Sequence, residues 1–453
     1  MKIVGIIAEY NPFHNGHAYQ IEKIRETTGA DYIIAAMSGD FTQRGEPAII
    51  DKYARAQMAL SCGVDLVVEL PVLWAVSSAE SFARAGVCLF DQMGCVDELC
   101  FGAETGNVPL LSLVADILAE EPDAYKEILV SCLKDGKAFP LARATALEQY
   151  LSAVDFNSNV SPVTDSLKLQ ELSDILSAPN NILAIEYLKS LKLCHSNIRP
   201  HPILRNGAGY HNTDISAPNA SASAIRSVLK SVSATPDAAC KSDHNECFWE
   251  QSLKHTMPVE AFNVFSDYLK HFPYMGADDF SQILGYLLLT SSAESLSSFV
   301  DCNYEIARRL KKNLFSFSSV EQFTELNKSR DITYTRMSRV FMHMLLQMKT
   351  SDLILAKNCN YVPYIRPLGF RKSSSGVLSQ LKKHSAIPVI GKLANAPKYL
   401  SSNALSLLEK DIFAANLYEQ ILAQKKESFR EMNSPAKLSF FKSNGIFKSH
   451  YLL

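Results

Sequence analysis

Four nearly continuous apolar runs recur in the first 105 residues of this 453-residue chain, and they restrict its fold more than any other feature. Such runs are typical of strands buried on both faces of a parallel sheet. They are KIVGIIAEY (2–10), DYIIAAMSG (31–39), VDLVVELP (64–71) and VDELCFG (96–102). The intervening stretches have the 3.6-residue period of helices, at 15–28, 51–62 and 77–92. This alternation predicts a doubly wound, Rossmann-like α/β domain with a parallel sheet.

The rest of the sequence divides at 232–247, a polar stretch with Pro and Asp that is a candidate domain boundary. A chain of 453 residues is longer than one hydrophobic core usually supports. Residues 256–350 have mostly helical periodicity. We therefore predict an α/β catalytic domain over 1–235 and a mainly α-helical domain over 236–453. Before the boundary, the patterns predict helices within 108–153 and 165–192 and a further strand at 196–205.

The composition is that of a globular protein, with 47% hydrophobic and 20% charged residues. No apolar run approaches the roughly 18 residues of a membrane-spanning helix, and the first is too short for a secretory signal. Most cysteines lie in apolar contexts, as reduced cysteines do. We expect a cytoplasmic protein without a membrane partner. Cys240, His244 and Cys247 lack the second ligand pair of a zinc site, so no dedicated metal centre is predicted.

Charge is distributed unevenly along the chain. Residues 351–453 contain fifteen Lys and Arg against six Asp and Glu, a net charge of +9, so the first 350 residues carry −11 of the total of −2. A basic segment on an acidic body favours a polyanionic partner for that segment. A solvated lysine surface is the alternative interpretation.

The tetrapeptide HNGH follows directly on the first predicted strand. In a doubly wound sheet, ligands bind beyond the carboxyl ends of the strands, where helix N-termini favour phosphate. His14 and His17 are three residues apart and share a face of the first helical turn, and Gly16 allows a phosphate or base to approach the backbone. Two imidazoles there can donate hydrogen bonds to a triphosphate as pyrophosphate leaves. We therefore predict that His14 and His17 are catalytic.

HNGH fits the H-x-G-H pattern and so resembles the nucleotidylyltransferase superfamily. The second signature of that superfamily is a serine-rich turn that ends in a basic residue and contacts the β- and γ-phosphates. SASAIR (221–226) has this form, with Ser221 and Ser223 as hydroxyl donors and Arg226 as the cation. A simple serine N-cap is the alternative. Together the two motifs imply attack on the α-phosphate of a nucleoside triphosphate, with Arg226 as a third catalytic residue.

Longer blocks resemble the bacterial tRNA(Met) cytidine acetate ligase family. They include MSGDFTQRGEPAIIDKYARAQMAL, GVDLVVELP, FGAETG, PNNILAIEYLK, RNGAGYHN and YIRPLGF, so the resemblance covers nearly the whole chain. It implies that acetate attacks ATP, with Mg²⁺, to give acetyladenylate and pyrophosphate. The N4 amine of the wobble cytidine of elongator tRNA(Met) then takes the acetyl group, giving N4-acetylcytidine and AMP. The oligomeric state stays open.

The resemblance also implies ATP contacts at residues 7–20, Gly102, Arg205 and an asparagine of PNN, where Asn180 is favoured over Asn181. For each contact outside 7–20 a structural alternative exists: a strand-end turn for Gly102, a surface cation for Arg205 and a helix N-cap for the asparagine. The predicted ATP-binding set is Ile7, Ala8, Glu9, Tyr10, Asn11, Pro12, Phe13, His14, Asn15, Gly16, His17, Ala18, Tyr19, Gln20, Gly102, Asn180, Arg205 and Ser223.

The remaining candidates rest on weaker patterns. In SGDFTQRGEP, which follows the second strand, Asp40 could orient Mg²⁺ or a substrate amine, and Arg44 or Lys52 could hold acetate. Asp40 could equally be an ordinary loop carboxylate. The candidate tRNA-binding cations are Arg330, Arg336, Arg339, Arg366, Arg371 and Lys372, each of which could be a solvated surface charge.

Two other functions fit parts of this pattern. The chain could adenylate another small acid or a phosphorylated cofactor precursor, although such an enzyme would not need two hundred further residues with a basic end. It could also be a nucleotide-gated RNA-binding protein without catalysis, which the intact His14, His17 and Arg226 argue against.

Overall fold

A computed structural model describes the protein over residues 1–137, 139–153, 172, 175–176, 178–204, 220–233 and 248–433. Arg205 and the cluster of Cys240, His244 and Cys247 lie outside these described residues. No helix in these ranges is long and apolar enough to cross a membrane.

Within the described ranges, eight strands form a six-stranded sheet and a small hairpin. The strands are β1 Ile3–Ala8, β2 Tyr32–Ser38, β3 Phe41–Thr42, β4 Glu46–Pro47, β5 Leu66–Leu70, β6 Glu98–Ala103, β7 Arg199–Leu204 and β8 Pro367–Phe370. The order across the large sheet is β7-β6-β1-β2-β5-β8, and β3 and β4 form the hairpin. The five strands from β7 to β5 are parallel and β8 is antiparallel.

The helices follow the periodicity of the sequence. They are α1 Asn15–Thr28, α2 Lys52–Ser61, α3 Val72–Ala75, α4 Ala79–Met93, α5 Val108–Glu120, α6 Asp123–Lys134, α7 Phe139–Ala153, α8 Pro179–Leu193, α9 Ala222–Ser233, α10 Phe248–Leu253, α11 Val259–His271, α12 Ser281–Thr290, α13 Ala293–Leu296, α14 Tyr304–Lys312, α15 Val320–Asn327, α16 Tyr334–Leu345, α17 Thr350–Asn358, α18 Ser375–His384 and α19 Ser402–Asn433. Short 3₁₀ turns lie at Lys254–Thr256, Ala277–Phe280, Leu314–Ser316, Lys372–Ser374 and Leu393–Lys398.

The predicted parallel-sheet α/β fold with a mainly helical C-terminal part is confirmed. The strands β2 and β5 are apolar because both faces are covered: every residue of β5, and all of β2 except Tyr32, is buried. Helix α4 crosses β1 closely, since a Cβ on Gly86 would lie 2.4 Å from Cδ1 of Ile7. This approach places the middle of α4 beside the carboxyl end of β1.

The sequence patterns did not predict β8, which comes from the C-terminal half and pairs antiparallel with β5. The pairing extends just past β8, where the backbone N–H of Arg371 donates to the carbonyl of Asp65 at 3.0 Å. The sheet therefore continues past the predicted division at 235/236, and that division stays a prediction.

Candidate functional site

A cleft opens at the carboxyl ends of β1, β6 and β7, where the strand order reverses between β1 and β6. The N-termini of α1 and α9 and the β3–β4 hairpin form its polar wall, and α4 and α8 contribute apolar side chains. The described residues that line it are Ile7, Ala8, Glu9, Tyr10, Asn11, His14, Gly16, His17, Tyr19, Gln20, Gln43, Arg44, Phe82, Phe101, Gly102, Asn180, Leu183, Tyr187, Ile203, Leu204, Ser221, Ala222, Ser223 and Arg226.

The two histidines of HNGH cap the first helix with their own rings. His14 is the N-cap of α1, and its Nδ1 accepts a hydrogen bond from the Gly16 N–H at 3.0 Å. The Nδ1 of His17 in turn accepts from the His14 N–H at 3.2 Å, and the rings stack with centroids 3.8 Å apart. Because each Nδ1 accepts, the neutral ring carries its proton on Nε2. Both histidines are therefore held as Nε2–H donors on the cleft wall.

Gly16 is required by the ring of His14 itself. A Cβ at position 16 would lie 2.9 Å from Cε1 and 3.1 Å from Nδ1 of His14. The sequence pattern alone explains this glycine by the approach of a ligand. The structure shows a second reason, since any side chain here would displace the capping imidazole.

We expect Gly16→Ala to lower ATP–pyrophosphate exchange roughly tenfold to a hundredfold, because it displaces His14 by a fraction of an ångström or more. The melting temperature should change little, since the helix propensity gained with alanine offsets the N-cap contact that is lost when His14 moves. Gly106→Ala is the matched control, because a Cβ there meets nothing within 4 Å. Exchange at the wild-type rate in Gly16→Ala would contradict the positioning role of Gly16.

The serine-rich turn contacts the loop that precedes HNGH. Ser221 directly precedes α9, and its Oγ accepts from the Ala224 N–H at 3.1 Å. Arg226 donates from Nη1 to the carbonyl of Asn11 at 2.8 Å and from Nη2 to Oγ of Ser223 at 3.2 Å. These contacts fix the guanidinium against the loop that precedes His14, so one phosphate group can meet both motifs.

Arg44 gives the cleft a second guanidinium. It lies in the β3–β4 hairpin, whose Gln43 N–H donates to Oε1 of Glu9 at 2.6 Å. Burial lowers the pKa of Arg44, and the positive charge of Arg226 lowers it further, while Glu9 acts in the opposite direction. Two arginines that repel each other across a cleft favour an anion bound between them.

The two asparagines of PNN have different surroundings. Asn180 lines the cleft, and its Nδ2 donates to Oε1 of Glu104. Asn181 is 2% exposed, and its Oδ1 accepts from the N–H groups of Glu104 and Thr105 at 2.8 and 3.2 Å. Asn181 therefore holds the loop after β6, and Asn180 is the one that faces the cleft.

We expect Asn180→Ala to weaken ATP binding with little change in stability. Asn181→Ala should instead lower stability with little direct effect on ATP binding. Asn181→Ala leaves two backbone N–H groups without their acceptor, which costs about 1–3 kcal/mol of unfolding free energy. Thermal melts and ATP titrations of the two variants, side by side, measure this. Equal loss of stability in both would contradict the distinction.

The apolar wall was missed by the sequence analysis. The rings of Phe101 and Tyr187 lie 5.5 Å apart at an interplanar angle of 41°, next to Phe82 and Leu183. The sequence pattern could have identified two of these residues. Leu183 and Tyr187 follow Asn180 at helical spacing on α8, so they share its face of the helix. Such a wall is suited to a base or to the methyl group of a small acid.

Not every residue of 7–20 lines the cleft. Among the described cleft-lining residues, Pro12, Phe13, Asn15 and Ala18 are missing. Phe13 is fully buried against the ring of Tyr10, and Nδ2 of Asn15 donates to the carbonyl of His255 at 2.8 Å. The structure thus assigns these two to packing and tethering. Gly102, one residue before the end of β6, and Ser223 do line the cleft.

The structure does not place Asp40, Lys52 or Arg366 where the sequence patterns predicted accessible charges. All three are buried, and none is among the described lining residues. The Nζ of Lys52 lies 3.4 Å from Asp40 and 2.8 Å from Glu69, and Nη1 of Arg366 lies 3.0 Å from Glu69. These charges neutralise one another inside the protein. Arg366 is therefore not available to bind tRNA, and Asp40 and Lys52 do not face the cleft.

The other tRNA candidates lie nearer the surface. Arg330 and Lys372 are exposed, and Arg336, Arg339 and Arg371 are partly exposed. Arg339 also pairs with Asp301, at 3.3 Å between Nε and Oδ2. Binding of tRNA by these five stays a prediction.

Known proteins match this chain over nearly its whole length. Residues 1–434 match the family described as HIGH Nucleotidyl Transferase. The chain is 40% identical over 421 residues to the tRNA(Met) cytidine acetate ligase of Clostridium acetobutylicum, covering 93% of this chain and 96% of the relative. It is 35% identical over 432 residues to the enzyme of that name from Acetivibrio thermocellus, covering 95% and 97%.

Two crystal structures of Thermotoga maritima TmcAL have the same fold. The apo structure, form I, superposes with a TM-score of 0.83 at 29% sequence identity, covering 96% of this chain and 98% of that chain. The structure bound with α-thio ATP, form II, superposes with a TM-score of 0.81 at the same identity and coverage. A neighbour of this fold therefore binds an ATP analogue.

Proposed function

The chain belongs to the tRNA(Met) cytidine acetate ligase family of HIGH nucleotidyl transferases, and on that premise we propose that it activates acetate with ATP and acetylates a cytidine of tRNA(Met). One observation carries the proposal. His14 and His17 are locked by their Nδ1 atoms as Nε2–H donors at the N-terminus of α1, in a cleft shared with Arg226.

The first step is adenylation of acetate. A carboxylate oxygen attacks the α-phosphorus of ATP, the bond to the β-phosphate breaks, and acetyladenylate and pyrophosphate form. Negative charge moves onto the leaving pyrophosphate, which the Nε2–H groups of the two histidines and the guanidinium of Arg226 stabilise. Arg44 is positioned to hold a second anion, either acetate or the α-phosphate.

The second step is acyl transfer to RNA. The N4 amine of the wobble cytidine attacks the acetyl carbonyl, AMP leaves, and the amine loses a proton. The cytidine must leave its stack to reach the cleft, as bases in RNA loops do when proteins modify them. A tRNA substrate places the reaction in the cytoplasm.

Mg²⁺ enters this scheme as the counterion of ATP. Glu9 is the only carboxylate among the described residues that line the cleft, and its Oε1 already accepts from Gln43. A single engaged carboxylate does not form a protein-based Mg²⁺ site, which needs several oxygen ligands. The ATP phosphates would therefore supply most ligands of the ion.

Acetate-dependent ATP–pyrophosphate exchange, run with and without tRNA(Met) and followed by nucleoside analysis of the tRNA, tests both steps. We expect exchange with acetate and N4-acetylcytidine in the product. Formate and propionate serve as control acids. Exchange only with another acid would indicate the small-molecule adenylyltransferase, and tRNA binding without exchange would indicate the non-catalytic RNA-binding protein.

A further inference from the structure

A band of exposed cations and two exposed aromatic rings lies outside the cleft, on the C-terminal helices. We propose that this band, the α14 surface, binds the sugar–phosphate backbone and one unstacked base of the RNA substrate. The α14 surface consists of Tyr304, Arg308, Lys312, Phe315, Lys328 and Arg330. The identity of the RNA as tRNA rests on the proposed function, whereas the surface itself is defined by its exposed charges and rings.

Helix α14 presents its basic side chains in two groups. Arg309 and Lys311 point back into the protein, donating to the carbonyls of Asn327 and of Leu288 and Ser291. Arg308 and Lys312 are exposed, and they share a face of the helix because they are four residues apart. Residues 304–316 contain four basic residues and one acidic residue, a net charge of +3 (4 − 1).

The end of α15 extends this cationic face. Nδ2 of Asn313, just after α14, donates to Oδ1 of Asn327 at 3.0 Å. This contact joins the ends of α14 and α15, so Lys312 and Lys328 lie on either side of it. Exposed Arg330 follows two residues after Lys328. Lys328 pairs with Glu325, but within the described ranges Arg308, Lys312 and Arg330 have no ion-pair partner. Unpaired cations on neighbouring elements are complementary to a polyanion.

Phe315 adds an exposed apolar ring to this cationic face. It follows Lys312 by three residues in the turn Leu314–Ser316 and is 96% exposed, more than any other large apolar side chain in the described ranges. An exposed phenyl ring beside phosphate-binding cations is the arrangement on which proteins stack unpaired bases. Its chemistry distinguishes this surface from a simple solvated lysine face.

The α14 surface is connected to the catalytic cleft by α16. Arg339 of α16 pairs with Asp301, three residues before the start of α14, at 3.3 Å between Nε and Oδ2. In the preceding residue, Ser338, Oγ donates to the carbonyl of Gly45 at 2.6 Å, in the hairpin that carries Arg44. An RNA backbone on the α14 surface can therefore follow α16 to the cleft, where the target base must arrive.

The first test compares the double variant R308A/K312A of the full-length protein with a charge-matched control. R308A/K312A removes two phosphate contacts, so the slope of log affinity against log salt should fall by about 1.5 and the Kd for tRNA should rise roughly tenfold. K126A/K134A removes two exposed lysines of α6 and should change neither. Acetate-dependent exchange without tRNA should keep its wild-type rate in both variants.

Phe315 is tested by substitution and by fluorescence. Phe315→Ala should weaken tRNA binding roughly fivefold or more, Phe315→Trp should retain binding, and tRNA should quench the new indole.

An unchanged Kd and salt slope in R308A/K312A, with wild-type protein that binds and acetylates tRNA, would overturn the proposal. If Phe315→Ala changes the molecular mass of the protein assembly in solution but not its RNA affinity, the surface instead contacts a second copy of the chain. If wild-type protein makes no N4-acetylcytidine but binds RNA through Arg308, the proposed function fails and the surface stands.

Discussion

His17→Ala is expected to lower acetate-dependent ATP–pyrophosphate exchange roughly a hundredfold to a thousandfold, the usual cost of removing one preorganised donor to developing charge. The substitution removes the Nε2–H donor and also the Nδ1 acceptor that holds the N–H of His14. The Kd for tRNA should stay within a few-fold of wild type, because His17 lies in the cleft and not on the α14 surface.

His384→Ala, which truncates an exposed histidine at the end of α18, is the matched control and should leave exchange unchanged. Measuring exchange at saturating ATP and at low ATP separates loss of catalysis from loss of binding, since only the former lowers the rate at saturation. Near-wild-type exchange in His17→Ala would refute the assignment of HNGH to adenylation.

Lys52→Met is expected to lower the unfolding free energy by about 3–5 kcal/mol, because it leaves buried carboxylates without their cation. The side chain of Lys52 is 2% exposed, between those of Asp40 and Glu69 at 3% and 4%. Burial would raise the pKa of Glu69, but the charges of Arg366 and Lys52 outweigh it and hold the pKa below its ordinary value. Loss of Lys52 removes one of those two charges.

Denaturant unfolding of Lys52→Met beside the exposed-site control Lys126→Met measures this difference. The double variant Lys52→Met/Glu69→Gln should recover part of the loss, since it also neutralises one of the carboxylates. If Lys52→Met unfolds like wild type but exchange with acetate fails, Lys52 acts on the substrate and the structural assignment is wrong.

The local parts of the site were predictable from the sequence. HNGH, its preceding strand and its following helix are neighbours along the chain, so one strand–turn–helix unit fixes their geometry. The same holds for SASAIR at the start of α9. Even Leu183 and Tyr187 could have been found, because the helical period carries them to the face of Asn180. In each case, short-range backbone geometry determines where the side chain lies.

Contacts between distant segments decided the rest. Asp40, Lys52 and Arg366 looked like accessible charges because no pattern shows that β8, from residues 367–370, closes the sheet edge over them. The sequence by itself determined the fold class, the helix N-terminus at the carboxyl edge of the sheet and the two histidines on it. Only the tertiary structure decided which charges are buried, which asparagine faces the cleft and where α16 meets the hairpin, because burial and ion pairing depend on residues tens to hundreds of positions apart.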